Sequence, residues 1–183
     1  MRRPSFLVPL VVAVLVDVVW HPLRGIAAIA VVTLAYLHWR FDLSDLGLRS
    51  KGWRGDAVAI AFLALLGIAP AFGHPATSGL AGAVLAAADR LFANPASFAE
   101  NLFYFGFVTE RLSYRAGRWL TPPLIGAMYT AHEMSNPEYW YEHMAFGFVF
   151  VGVSLMAAVY LWRRSVVVIW LGDGLRSFVG ALV

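Results

Sequence analysis

The chain has 183 residues, of which 60% are hydrophobic and 14% charged, and its net charge at pH 7 is +3. Soluble domains are about 45–50% apolar and about 25% charged, so a soluble fold of this length would leave too much apolar surface in water. The composition therefore predicts one integral membrane domain over residues 1–183, with the lipid bilayer as its partner. The basic residues do not cluster as in nucleic-acid-binding modules, so no nucleic-acid partner is expected. The absence of cysteine excludes disulfides and thiol catalysis.

Hydrophobic runs predict an all-α fold, a polytopic transmembrane bundle of about six to seven spans. The runs cover residues 5–20, 25–39, 56–73, 97–110, 120–134, 144–162 and 165–182. A further stretch at 78–92 is rich in Ala and Gly and predicts a short helix packed on the membrane or partly in it. The first run follows a basic start but has no small-residue cleavage site after it, so we expect it to be retained as a span.

The charges predict the orientation of this bundle. With the N-terminus in the cytoplasm and the runs threaded alternately, every basic residue except Arg24, Arg90 and Arg176 falls on the cytoplasmic side. This bias follows the positive-inside rule. We expect the protein in a bacterial inner membrane with its N-terminus in the cytoplasm. The outer connection after the run 120–134 is acidic, with Glu133, Glu138 and Glu142.

Ionisable residues at membrane depth cost about 3 kcal/mol each on insertion scales, so each one needs a reason. Glu100 and the neighbouring Asn101 can both border one cavity. Partial desolvation would make Glu100 a competent general base for activating water. The alternative is a carboxylate in the first turns of a helix that Asn94 caps, where the helix dipole favours it.

Two further residues can join Glu100 in a site. His132 ends an apolar run and can hold a water or a metal with Glu100, or can be an interfacial histidine without a catalytic role. Asp173 can be neutralised by Arg176, three residues further on the same helix face. It can instead point at His132 and complete a Glu100, His132 and Asp173 ligand set for a divalent metal such as Zn²⁺.

Three other ionisable residues are expected to have no role in chemistry. Asp17 lies towards the outer end of the first span, which favours an interfacial or structural role. Glu110 and Arg115 are spaced as E-x-x-x-x-R, but they coincide with the cytoplasmic basic residues and are therefore interpreted as interfacial.

Three motif-like strings follow one another on the predicted membrane helices. They are Glu100-Asn101-x-x-x-Phe105-Gly106, Met128-x-x-x-His132 and Asp173-x-x-x-Ser177. Their order and spacing resemble the CAAX protease and bacteriocin-processing (CPBP) intramembrane proteases, the group of the type II CAAX prenyl endopeptidases. That family carries Glu-Glu-x-x-x-Arg, Phe-x-x-x-His and His-x-x-x-Asn on transmembrane helices. The resemblance covers about residues 40–180.

The resemblance implies roles for individual residues. The first Glu and first His of the family activate the hydrolytic water, and the later His and Asn stabilise the oxyanion. Glu100 would therefore be the base and His132 would hold the water, with Asp173, Asn101 and Ser177 as further site residues. The chain departs from the family pattern through Asn101 for the second Glu, Phe105 for the Arg, Asp173 for the second His and Ser177 for the Asn.

These features predict an intramembrane endopeptidase of CPBP type that cleaves a membrane-associated peptide or a C-terminal tail. The altered motif positions motivate an alternative, a catalytically inactive homologue that acts as a scaffold, immunity or partner protein in the membrane. A third reading is a small transporter with a proton or cation path along Asp17, Glu100 and Asp173.

Overall fold

The computed structural model describes residues 47–48, 51–68, 79–93, 95–134 and 146–182, so the runs predicted at 5–20 and 25–39 lie outside the described residues. Every regular element of the described part is a helix, which confirms the all-α class. The helices are α1 (Trp53–Leu65, continued by the 3₁₀ turn Leu66–Ile68), α2 (Gly79–Ala88, continued by the π-helical Asp89–Ala93), α3 (Pro95–Asn101, continued by the π-helical Leu102–Thr109), α4 (Glu110–Met134), α5 (Phe146–Arg163) and α6 (Val166–Leu182).

Among the described residues, only α5 is both long and apolar enough to cross a membrane. It has 18 residues, whereas α1 has 13 and α6 has 17. The predicted six to seven spans therefore remain a prediction. The short helix predicted at 78–92 is present as α2 and its π-helical continuation.

The predicted runs 97–110 and 120–134 form a helical hairpin. Its turn lies at Gly117, a non-helical residue that divides α4 into two helical segments. This residue has φ 76° and ψ 166°, in the left-handed region that glycine adopts without steric cost. The chain reverses there, and Tyr129 of the second arm packs against Tyr104 of the first, with ring centroids 4.9 Å apart. The hairpin thus brings residues near 100 and near 130 to the same level of the bundle.

Helix α6 lies between α1 and α2, and glycines allow the close approach. A Cβ on Gly172 would lie 2.5 Å from Cδ1 of Leu63 in α1, and one on Gly174 would lie 2.5 Å from Leu91 after α2. At Gly67 an added Cβ would overlap the backbone oxygen of Arg176. At these three contacts α6 packs closely against α1 and against the segment that follows α2.

The outward faces of α1 and α5 are apolar over most of their length. On α1, the exposed positions after Arg54 are Ala57, Val58, Ala61, Phe62 and Leu65. On α5 they are Gly147, Phe148, Val151, Ala158 and Trp162. Charged and polar side chains are instead found among the buried residues, including Glu100, Glu110, His132, Arg163 and Asp173. The outward faces of α1 and α5 are therefore mainly apolar, whereas several ionisable side chains of the described part are buried.

Candidate functional site

Glu100 is a buried carboxylate in the last turn of α3, with 7% of its surface exposed. The Tyr129 hydroxyl of α4 donates a long hydrogen bond of 3.5 Å to Oε2 of Glu100. The two residues are 29 positions apart, and the hairpin at Gly117 brings them together. Glu100 is therefore buried among the described helices, and its depth in a membrane stays a prediction. The predicted capping by Asn94 involves a residue outside the described part.

His132 lies nearly one turn beyond Tyr129 on α4 and is fully buried. Its ring centroid is 5.6 Å from that of Tyr129 and 6.0 Å from that of Tyr104. Tyr129 therefore contacts Glu100 through its hydroxyl and His132 through its ring. The structure brings the predicted glutamate and histidine to the same tyrosine.

Asp173 forms two ion pairs in the middle of α6. Nε of Arg90 lies 2.8 Å from Oδ2, and the Arg176 guanidinium contacts Oδ1 at 2.7 and 3.0 Å. Of the two predicted arrangements, the pair with Arg176 is present. Guanidinium groups bond to both oxygens of Asp173, so these contacts favour the pair with Arg176, and the orientation of Asp173 towards His132 as a metal ligand stays a prediction.

Arg90 is the residue that sequence reasoning missed at this position. It comes from the π-helical turn after α2, 83 residues from Asp173 in the chain. The strongest electrostatic interaction of Arg90 is with Asp173, and it also interacts with Tyr129 and Glu100. The one available signal was that Arg90 is among the few basic residues that break the positive-inside pattern.

Glu133 is a second carboxylate beside the tyrosine. It was predicted in an acidic outer loop, but it belongs to α4 and is only 8% exposed. It interacts electrostatically with Tyr129, which also interacts with Glu100, Arg90 and Asp173. We refer to these residues together as the Glu100 cluster, which consists of Arg90, Glu100, Tyr129, His132, Glu133, Asp173 and Arg176.

Asn101 and Ser177 are buried, but their donors are used within their own helices. The Asn101 side-chain amide donates to the Ser97 carbonyl at 2.9 Å, and the Ser177 hydroxyl donates to the Asp173 carbonyl at 3.1 Å. Such bonds to the preceding turn are common for short polar side chains in helices. In this conformation the Ser177 proton is therefore not directed at an oxyanion.

The predicted Zn²⁺ site is not formed by Glu100, His132 and Asp173. Within residues 47–48, 51–68, 79–93, 95–134 and 146–182, no group of three or more His, Cys, Asp or Glu side chains is arranged to hold a metal ion. The two arginines on Asp173 are the physical reason, since they take the oxygens that a metal would need.

A second group of buried charges joins the helices where α5 meets α6. Glu110 is 4% exposed, pairs with Arg164 and accepts a hydrogen bond of 3.2 Å from the Tyr160 hydroxyl. Arg163 pairs with Asp56 of α1 at 2.8 Å. We refer to Asp56, Glu110, Tyr160, Arg163 and Arg164 as the Arg164 cluster.

Side chains of α5 and of the turn after it cover the Glu110 carboxylate, and its position at the membrane interface stays a prediction. Arg115 is exposed, as an interfacial residue would be. Asp17 lies outside the described residues, so its predicted role stays a prediction.

Comparison of the chain with models of known families, with curated proteins and with solved structures gives no match in any of the three.

Proposed function

We propose that the protein is a polytopic membrane protein and an intramembrane endopeptidase that resembles the CPBP family, with Glu100 as the base that activates water. The observation that carries this proposal is the Glu100 cluster itself. A buried carboxylate from α3 and a buried imidazole from α4 both contact Tyr129. Carboxylate and imidazole on separate helices are the groups that such a reaction needs.

The distribution of polarity supports the membrane part of the proposal. The exposed positions of α1 after Arg54 and those of α5 are apolar, whereas the carboxylates of the Glu100 cluster and Glu110 of the Arg164 cluster are buried. Ionisable side chains inside a membrane bundle face its interior and pair with one another. Water would penalise the apolar outer faces, so lipid is the solvent that suits them.

The orientation follows from the Arg164 cluster. The start of α1, the end of α5 and the start of α6 meet there through Asp56, Arg163 and Arg164. The positive-inside rule would put this arginine-rich end in the cytoplasm of a bacterial inner membrane. The Asp173 carboxylate would then lie about 13 Å further along α6, at membrane depth.

In the proposed reaction, the Glu100 carboxylate takes a proton from a water that His132 helps to hold. The water oxygen attacks the carbonyl carbon of the peptide bond, and a tetrahedral oxyanion forms. When the C–N bond breaks, Glu100 returns the proton to the leaving nitrogen. The positive charge of Arg90, held in place by Asp173, would stabilise the oxyanion more than the neutral carbonyl.

The test uses purified protein in lipid nanodiscs and a set of membrane-associated peptides, with cleavage followed by mass spectrometry. We expect the wild-type protein to cleave at least one peptide and Glu100→Gln to lose at least about a hundredfold in rate, since general base catalysis contributes about 10²–10⁴-fold. Asp89→Asn is the matched control, because Asp89 is an exposed carboxylate just before Arg90. Equal cleavage by wild type and Glu100→Gln, or none by either, would reject the proposal.

A second candidate function is a non-catalytic membrane scaffold, immunity or partner protein. The engagement of Asp173 with two arginines and of Ser177 with its own helix favours it, because the third motif is then purely structural. In this case, the wild-type protein should co-purify with a membrane partner. Glu100→Gln should leave this association unchanged, and no peptide should be cleaved.

A further inference from the structure

The Glu100 cluster contains one carboxylate more than its guanidinium groups can neutralise. Its carboxylates belong to Glu100, Glu133 and Asp173, and its guanidinium groups to Arg90 and Arg176. Both guanidinium groups bond to Asp173. Among the described residues the cluster therefore has one carboxylate in excess of its guanidinium groups, and a buried carboxylate is costly unless a donor or a cation compensates it.

Glu133 is the carboxylate at which this excess is not compensated. It is more than nine-tenths buried, and its Oε2 has no hydrogen-bond partner among the described residues. By contrast, Oδ1 and Oδ2 of Asp173 each accept from an arginine. A buried carboxylate oxygen without a donor is expected to be rare in a native structure, so it points to a donor that arrives with a ligand.

The geometry of α4 directs Glu133 towards the proposed reaction centre. Residues four apart on a helix lie on the same face, and Tyr129 and Glu133 have this spacing. Tyr129 interacts electrostatically with Glu133, and its hydroxyl contacts Glu100. Glu133 therefore lies on the face of α4 that carries Tyr129, the residue that contacts the predicted base.

We infer that Glu133 forms a subsite for a cationic side chain of the substrate, so that the protein selects peptides with lysine or arginine near the cleaved bond. The ammonium or guanidinium group would donate to Oε2 of Glu133 and compensate the excess charge of the cluster. This inference rests on the proposed endopeptidase function and specifies its substrate class.

The experiment uses peptides that differ at one position at a time, where each carries either lysine or its uncharged analogue acetyllysine. Cleavage rates and equilibrium binding are measured in nanodiscs for the wild type, Glu133→Gln and the control Asp89→Asn. For at least one position, we expect the wild type and Asp89→Asn to prefer lysine by about tenfold or more, as for a hydrogen bond to a charged group. Glu133→Gln should lose this preference and cleave both peptides at similar rates.

The outcomes separate this inference from the function on which it rests. Cleavage without a lysine preference at any position, or a preference that Glu133→Gln keeps, would overturn the cation subsite and leave the endopeptidase proposal intact. Preferential binding of a lysine peptide that Glu133→Gln abolishes, without cleavage of any peptide, would support the subsite and reject the endopeptidase. Absence of both cleavage and preferential binding would overturn both.

Discussion

The Arg164 cluster and the Glu100 cluster are both buried ionic groups, but their charges are balanced differently. In the Arg164 cluster, Asp56 pairs with Arg163 and Glu110 pairs with Arg164, and hydroxyl groups of tyrosines complete the hydrogen bonding. In the Glu100 cluster, two arginines share Asp173, while Oε2 of Glu133 has no hydrogen-bond donor among the described residues. A matched set of charges joins helices, whereas a set with an excess carboxylate is suited to bind or react.

The largest expected effect tests this division of roles with one substitution in each cluster. Glu100→Gln should lower the cleavage rate at least about a hundredfold and change the free energy of unfolding by less than about 1 kcal/mol. Glu110→Gln should instead destabilise the fold by about 2 kcal/mol, because the partly buried guanidinium group of Arg164 loses its carboxylate partner. Rates normalised to the folded fraction, together with thermal unfolding in detergent, check both. Similar effects of the two variants on rate and stability would remove the distinction.

The next effect concerns the part of the Glu100 cluster that is structural. Asp173→Ala should lower the free energy of unfolding by about 3 kcal/mol, since it leaves two guanidinium groups without their carboxylate. The arginine side chains are 29% and 14% exposed, so water screens part of this cost. Thermal unfolding of the purified variant measures the loss, with Asp89→Asn as a control that should behave as the wild type. A loss below about 1 kcal/mol would mean that Asp173 is not a structural centre.

A smaller effect tests the close packing of α6, the helix that carries Asp173, against the end of α1. In Gly67→Ala the new methyl group would overlap the backbone oxygen of Arg176, and we expect a loss of about 2 kcal/mol by overpacking. Gly147→Ala is the matched control in α5, because nothing lies within 4 Å of its added Cβ. That variant should be neutral or more stable by about 0.5 kcal/mol. Equal stability of the two variants would contradict the close contact of α1 with α6.

The smallest expected effect compares two phenol groups, that of Tyr129 in the Glu100 cluster and that of Tyr114, which contacts Glu110 of the Arg164 cluster. Tyr129→Phe removes the hydroxyl 3.5 Å from Glu100, and Tyr114→Phe removes one 3.3 Å from Glu110. Both bonds are long, so each variant should lose less than about 1 kcal/mol of stability. Only Tyr129→Phe should slow cleavage, by about threefold to tenfold, because its hydroxyl orients the base. A rate equal to that of Tyr114→Phe would exclude Tyr129 from the site.

The sequence predicted well those features that depend on neighbours along the chain. The apolar runs predicted helices for the described part, and the spacing of three residues predicted the pair of Asp173 with Arg176. Glu100 and His132 were also predicted as buried, because an ionisable group within an apolar run is expected to face the interior of the bundle.

The features that were not foreseen concern residues whose partners are distant in the chain. Glu110 was interpreted from the basic residues around it, and its pairing with Arg164, 54 residues away, was not predicted. Glu133 was assigned to an outer loop, although the predicted run 120–134 includes it, and α4 continues to Met134 and keeps it buried. An ion pair between distant residues has no local signal.

The sequence by itself determined that this chain forms helices, that their surfaces are largely apolar, and that a few carboxylates and one histidine must be accommodated among them. The tertiary structure alone decided which charges meet, because Arg90 reaches Asp173 across 83 residues and the reversal at Gly117 places Tyr129 beside Glu100. The physical reason is that helix formation and burial depend on local pattern, whereas an ion pair depends on the packing of whole helices.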